Sequence, residues 1–230
     1  MRRSFIVVIG SIPLIGPFAR EVCRLLLNFL FPGSQKYWEG RYARGKDSGN
    51  GSRGELREYK ASVINAFVRT NNILSVIELG CGDGGQLALA EYPRYIGLDV
   101  SPTAIDLCKG NFTLDNTKRF YYIEDPLCVD LLADIIEWRS DLALSLDVIF
   151  HLISDDVYQS YLRGLFDLAI RYVIIYSSNV DEKQFYQTRK REFTRWVSRN
   201  AADWQLAEKI VNPYSSVTNS SFYIYQKVKL

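Results

Sequence analysis

Apolar positions along this chain alternate between helical spacing and short continuous runs, and that alternation dominates the pattern from residue 55 onward. Leu56, Tyr59, Val63, Ile64, Phe67 and Val68 recur every three to four residues and predict a helix over residues 55–70. Asn71-Asn72 interrupts it, and an apolar run then predicts a strand over 73–79 that breaks into a glycine-rich turn, 80–85. A short helix through Tyr92, closed by Pro93, leads to a second strand at 95–100. Ser101-Pro102 has the composition of a helix start and predicts a helix over 103–109. Further strands are predicted at 120–123, 142–146 and 172–176, and an alternating pair at 204–211 and 221–228 is joined by the turn-rich stretch 212–220. Strands separated by helices imply an α/β fold, a doubly wound and mostly parallel sheet of seven strands. The last two strands, with only a loop between them, imply an antiparallel hairpin at one edge.

The segment before this domain has a different pattern. Residues 5–18, FIVVIGSIPLIGPF, run without a charge behind Arg2 and Arg3, which resembles the start of a secretory signal, yet no small-x-small cleavage site follows. The run is shorter than the about 20 residues that a spanning helix needs, and Pro13 and Pro17 interrupt it. Arg20, Glu21 and Arg24, then Leu25, Leu26, Leu27, Phe29, Leu30 and Phe31, predict a helix over 19–31 stopped by Pro32-Gly33. Residues 1–34 therefore read as an extension and 35–230 as the domain. The extension has two readings, a helix packed on protein or an interfacial anchor on a membrane surface. Residues 37–54, YWEGRYARGKDSGNGSRG, are aromatic, basic and glycine-rich, and read as a loop or lid.

Composition narrows the class without naming it. The 230 residues are 47% hydrophobic and 23% charged, which excludes a disordered or collagen-like chain. Lys plus Arg (28) exceed Asp plus Glu (26) for a net charge of +2, too little to argue for general nucleic-acid affinity. Cys23, Cys81, Cys108 and Cys128 are widely spaced with no CxxC pair, and the chain has one histidine, so a disulfide scaffold or ordinary zinc site is not indicated. A reducing, cytoplasmic setting follows, with a peripheral position at the membrane's inner face open through the extension.

The glycine turn carries the first chemistry. Glycines after a strand let backbone approach a ligand closely, and Gly80-x-Gly82-x-x-Gly85 also satisfies the dinucleotide fingerprint. Two carboxylates sharpen the reading. Glu78 lies two residues before the first glycine, where an anion suits an ammonium better than a pyrophosphate. Asp99 ends the next strand 21 residues further on, the position from which a carboxylate accepts ribose hydroxyls.

The successive segments VIELGCGDGG, YIGLDVSP, EDP and DLALSLDVIFHL, from residues 76 to 152, resemble the motifs of class I S-adenosylmethionine-dependent methyltransferases. The resemblance extends over about 35–230 and includes the terminal antiparallel pair, implying a Rossmann-like fold with S-adenosyl-L-methionine as cofactor and S-adenosyl-L-homocysteine as product. By that resemblance Glu78 and Gly80 lie against the methionine part of the cofactor, Asp99 binds the ribose, Asp125 meets the adenine amino group, and Asp147 borders the methionine and the acceptor. Cys81, Gly82, Gly84, Val100, Pro126 and Leu146 are further candidates for the cofactor site. The lid-like stretch resembles that of bacterial stand-alone members, some of them associated with cell-surface polysaccharides. The alternatives are a nicotinamide oxidoreductase, a non-catalytic cofactor-binding module and a nucleic-acid methyltransferase.

Within this reading His151, four residues after Asp147, is the candidate base for a hydroxyl acceptor, and a helix there puts both side chains on one face. SLDVIFHL replaces the Asn/Asp-Pro-Pro-Tyr/Phe motif of base- and amide-N-methylating enzymes. Asp147, Asn179 and Asp181 imitate a magnesium cluster weakly, and no metal is expected. Arg189 and Arg191 are candidates to clamp an anionic acceptor. Tyr37, Trp38, Arg41 and Tyr42 are candidates to cover it, with Tyr176 and Asn179 at the strand end below. The expected acceptor is a small or saccharide-like molecule, anionic or lipid-linked, and not a nucleic acid.

Overall fold

Burial on both faces of the central strands explains their near-continuous apolar sequences. The computed structural model describes residues 17–128 and 136–228, so residues 5–16 of the N-terminal apolar run lie outside the described residues. Strands β1 (Val76–Leu79), β2 (Tyr95–Asp99), β3 (Lys118–Tyr122), β4 (Ser140–Leu146), β5 (Ala169–Ser177), β6 (Trp204–Ile210) and β7 (Ser221–Lys227) form one sheet. Its order is β3-β2-β1-β4-β5-β7-β6. The β1, β2, β3, β4 and β5 pairings are parallel, and β7 is antiparallel to both β5 and β6. The predicted hairpin is present with β7 inserted between β5 and the edge strand β6. A register shift between Leu206 and Glu208 irregularises that edge, which discourages pairing with another chain.

Alternate residues of each strand feed two cores. Ile77, Leu79, Ala143, Val173 and Ile175 pack with Tyr161, Leu162 and Leu165 of helix α5 (Asp155–Asp167) and with Phe193 and Val197 of α6 (Phe193–Asn200). Val76, Leu142, Leu144 and Ile174 face the opposite way, against Ile64 and Val68 of α3 (Gly54–Thr70) and Ile105 and Cys108 of α4 (Pro102–Asn111). Ser101 caps α4 by accepting from the Ala104 N–H, as its sequence predicts. Helix α5 is absent from the expectations above, although Ser154-Asp155-Asp156 before Tyr158, Tyr161, Leu162 and Leu165 is a cap followed by helical spacing.

Ahead of the sheet, α1 (Pro17–Phe29) and α2 (Ser34–Tyr42) follow one another. Helix α2 corrects the loop expected from residue 37. Only residues beyond Tyr42 are irregular, with a short 3-10 turn at Asn50–Ser52. The chain order turns back at β1 and β4, where one path runs out to β3 and the other to β5. That switch point opens a crevice at the strands' carboxyl ends.

Candidate functional site

The crevice becomes a cavity because residues 34–53 close over it. Glu39 of α2 accepts from Ser101 Oγ and Thr103 Oγ1, both at 2.6 Å, at the positive N-terminus of α4. Ser48 donates to Asp83 of the glycine turn from its backbone N–H (3.0 Å) and its hydroxyl (2.9 Å). Ser34 donates to the His151 carbonyl. The roofed space holds about 950 Å³ of non-atom volume when its open mouth is included.

Its floor is the glycine turn. Gly80 adopts φ 82° and Gly82 φ 58°, which favour glycine, and both Gly80 and Cys81 donate backbone N–H groups to Leu98 O. A Cβ on Gly82 would fall 2.5 Å from Ser48 Oγ and 2.8 Å from the Tyr42 hydroxyl, so the absent side chain is what lets the lid seat. Gly84 instead backs onto Phe112 and Cys108 of α4 and serves packing. Glu78, Gly80, Cys81, Gly82, Asp99, Val100, Pro126 and Leu146 all line the cavity. Asp125 does not. It is exposed and accepts the Leu127 N–H at 2.9 Å, holding the turn that presents Pro126.

Two buried carboxylates set the cavity's charge. Asp99 accepts from Gly82 N on one oxygen and Ser101 N on the other, each at 2.9 Å. Burial pushes its pKa up to about 6, opposed by those backbone donors. Glu78 accepts from the Tyr95 hydroxyl at 2.7 Å, and burial pushes its pKa up to about 7. Tyr161 of α5 closes one side, donating its hydroxyl to Leu79 O at 2.8 Å.

Asp147 and His151 come together here, but not on an α-helix. Asp147 takes the left-handed conformation, φ 59°, which aspartate tolerates better than most residues. A single 3-10 turn, Ile149–His151, follows. The Asp147 carboxylate caps no helix; it pairs with Lys60 Nζ at 2.9 Å and lies 3.4 Å from Ser220 Oγ. Lys60 is 1% exposed, with Nζ 5.4 Å from the Tyr176 ring centre. Tyr176 is thus behind the site rather than in it, with its hydroxyl accepting from Asn212. Lys60 was legible in principle, since it sits on the apolar stripe between Leu56 and Ile64 where an unpaired lysine is not expected. Lys60→Met leaves the Asp147 charge without its partner. It is expected to cost about 2 kcal/mol, lowering Tm by about 4–8 °C in thermal unfolding. Adding Asp147→Asn is expected to recover most of the loss.

His151 Nδ1 lies 3.0 Å from Gln187 O. A carbonyl only accepts, so Nδ1 carries the proton and Nε2 keeps its lone pair. Burial lowers the imidazole pKa, chiefly by desolvation, which keeps the ring neutral at physiological pH. Trp38 stands edge-on to it at 5.0 Å.

A second cavity adjoins the first and shares Trp38, Ser48, Ser52, Asp147 and His151 with it. Tyr37, Phe150, Phe185 and Tyr186 add aromatic side chains to its wall, beside Arg41, Leu56, Gln187 and Thr188. Arg41 is buried and committed to Asp47. Tyr42 remains on the first cavity's side, hydrogen-bonded to Ser48 at 3.0 Å.

Arg189 and Arg191 lie outside both cavities. Arg191 donates to Leu152 O (2.7 Å), Ile153 O (3.0 Å) and Asp155 (3.0 Å), and Arg189 to Ile153 O (3.0 Å) and Asp155 (3.1 Å). The turn after His151 leaves those carbonyls without helical partners, and the guanidinium groups supply them. They fix the loop that carries His151, and they line a separate open surface pocket with Arg24, Lys190 and Arg195 rather than either cavity. Asn179 is likewise structural, exchanging hydrogen bonds with Thr194 at the start of α6, and Asp181 pairs with Arg195.

Neither a protein-family model nor a curated protein sequence matches the chain. Solved structures do. The N-methyltransferase NodS from Bradyrhizobium japonicum, in complex with S-adenosyl-L-homocysteine, superposes with TM-score 0.63 at 12% identity, over 86% of this chain and 100% of that one. An S-adenosylmethionine-dependent methyltransferase from Anabaena variabilis gives 0.61 at 16%, over 85% and 93%. Magnesium protoporphyrin IX methyltransferase from Synechocystis, with bound S-adenosylmethionine, gives 0.56 at 16%, over 90% and 96%. At these identities the likeness is one of fold.

Proposed function

The chain has the Rossmann-like fold of class I S-adenosylmethionine-dependent methyltransferases, and we propose that it is such an enzyme, transferring the methyl group to a hydroxyl of a small, saccharide-like acceptor. The observation that carries this reading is the wall shared by two cavities, one floored by buried carboxylates and a glycine turn, the other aromatic, with His151 and Asp147 between them.

The first cavity's residues fit S-adenosylmethionine. Glu78 offers an anion to an α-ammonium group, and Asp99, held rigid by Gly82 and Ser101, offers acceptors to a ribose diol. When bound, the cofactor supplies an activated methyl group on a sulfonium. The protein's own work is then to position and to accept a proton. Tyr37, Trp38, Phe150 and Tyr186 give a sugar ring apolar faces to pack on, which orients a hydroxyl toward the shared wall. His151 Nε2 is the unprotonated nitrogen available to take the hydroxyl proton, while Gln187 O holds Nδ1–H and fixes the ring. The Lys60–Asp147 pair holds the other side of that wall.

Glu78 also predicts a pH dependence. With its pKa near 7 it is largely protonated below neutrality, whereas an ammonium group favours the carboxylate. Cofactor binding therefore releases a proton, and affinity is expected to rise with pH toward about 7 and level off above it. Calorimetry in buffers of different ionisation heat checks both. The acceptor is tested by incubating the protein with methyl-tritiated cofactor and panels of sugars, sugar phosphates and amines. Label in sugars, with a product heavier by one methylene, supports the reading; label in amines alone contradicts it.

A further inference from the structure

We infer that α1 docks on a lipid surface and brings the mouth of the aromatic cavity to it, so that the acceptor is one borne by a membrane. The inference rests on the functional reading above for the acceptor, and on α1 alone for the docking.

Helix α1 is mounted with its polar side inward. Arg24 Nη1 and Asn28 Nδ2 donate to Gln184 O at 3.0 and 3.1 Å, and Asn28 Oδ1 accepts the Tyr186 N–H at 2.7 Å. The opposite face carries Val22, Leu25, Leu26, Phe29 and Leu30, at helical spacing and all exposed, Phe29 at 86% and Leu30 at 68%. Surface helices of water-soluble domains show the reverse arrangement, and a contiguous apolar face of this kind marks an interaction site.

Three features favour lipid as the occupant. In the sequence an uncharged run, residues 5–18, overlaps the start of α1. Residues 1–31 carry four arginines against one glutamate, a charge suited to anionic headgroups. Over the described residues helix α1 has 13 residues, about 20 Å at 1.5 Å per residue against the about 30 Å of a bilayer core, a length that suits a helix lying in the interface. The segment α1 grips also lines the aromatic cavity through Phe185 and Tyr186, and Phe31 just beyond α1 packs on Tyr186 at 5.3 Å and Tyr37 at 5.8 Å. A membrane under α1 is therefore a neighbour of the cavity's mouth, and an amphiphile can offer its head group there while its tail stays in the lipid.

Flotation of the full chain with phosphatidylcholine–phosphatidylglycerol vesicles tests the docking. Wild type is expected to float, and Leu26→Glu combined with Phe29→Glu to lose at least about tenfold in partitioning, with cofactor affinity by calorimetry unchanged. Leu114→Glu, a fully exposed apolar residue after α4, is expected to float like wild type. Failure of wild type to float, or flotation of the double variant, overturns the docking. So does a wild-type dimer that the double variant renders monomeric without any vesicle binding, which assigns the face to a second copy. For the cavity's placement, Phe185→Trp is expected to gain emission that brominated acyl chains quench, and absence of that quenching overturns the membrane-borne acceptor. Cofactor binding by wild type is measured without vesicles, so its failure refutes the functional reading separately.

Discussion

Asp99→Ala is expected to weaken S-adenosylmethionine binding about a hundredfold. The Asp99 carboxylate is buried at the end of β2, where Gly82 N and Ser101 N each donate to one of its oxygens at 2.9 Å. These donors fix the carboxylate's orientation and leave its remaining acceptor capacity to the cavity it lines. Hydrogen bonds to a charged group contribute about 1.5–3 kcal/mol each, so loss of one to two of them to a ribose diol amounts to about 3 kcal/mol, or about a hundredfold in Kd. The substitution also strands two backbone donors, and some loss of Tm accompanies it. Asp99→Asn separates the effects. It keeps one acceptor oxygen for one of the two backbone N–H groups and loses the charge, so affinity is expected to fall with part of the stability kept. Calorimetric Kd and Tm measured on both variants decide it, and a Kd within about threefold of wild type in Asp99→Ala refutes the assignment.

His151→Ala is expected to lower kcat about 10²–10³-fold while leaving cofactor Kd within about twofold, the range typical for removing a general base. Its direction with pH follows from burial, which lowers the imidazole pKa below the usual 6.5. The base form thus predominates at neutral pH, and wild-type kcat is expected to fall only on the acid side of 6.5. That acid limb is expected to vanish in the variant. Loss of kcat with the limb retained would make His151 a positioning residue whose ring merely supports Trp38 and Phe150.

Strand positions were accessible in the sequence because parallel strands buried on both faces write them as apolar runs, and glycine and proline mark where they end. The cofactor side was accessible for a related reason. Glu78, Gly80, Gly82 and Asp99 lie at strand ends, where topology alone brings them to one crevice. The acceptor side is assembled across long separations, and local spacing carries little of it. Arg189 and Arg191 read as an anion clamp from their composition, yet the bare carbonyls of Leu152 and Ile153 claim them. Asp147 and His151 meet through a left-handed residue and a 3-10 turn, not through the i,i+4 helix that their spacing suggests. Asn179 and Tyr176, placed near the crevice by chain position, turn to capping and to supporting Lys60. Lys60 itself shows how a charge on an apolar stripe flags a buried pair before its partner is known.

Calorimetric titration of the full chain with S-adenosylmethionine, S-adenosylhomocysteine and NADH is the most direct measurement. Saturable one-to-one binding of the first two at micromolar concentrations, with none of NADH, is the predicted result. Absence of binding by the methyl donor, or binding of NADH in its place, would contradict the assignment of the carboxylate-floored cavity.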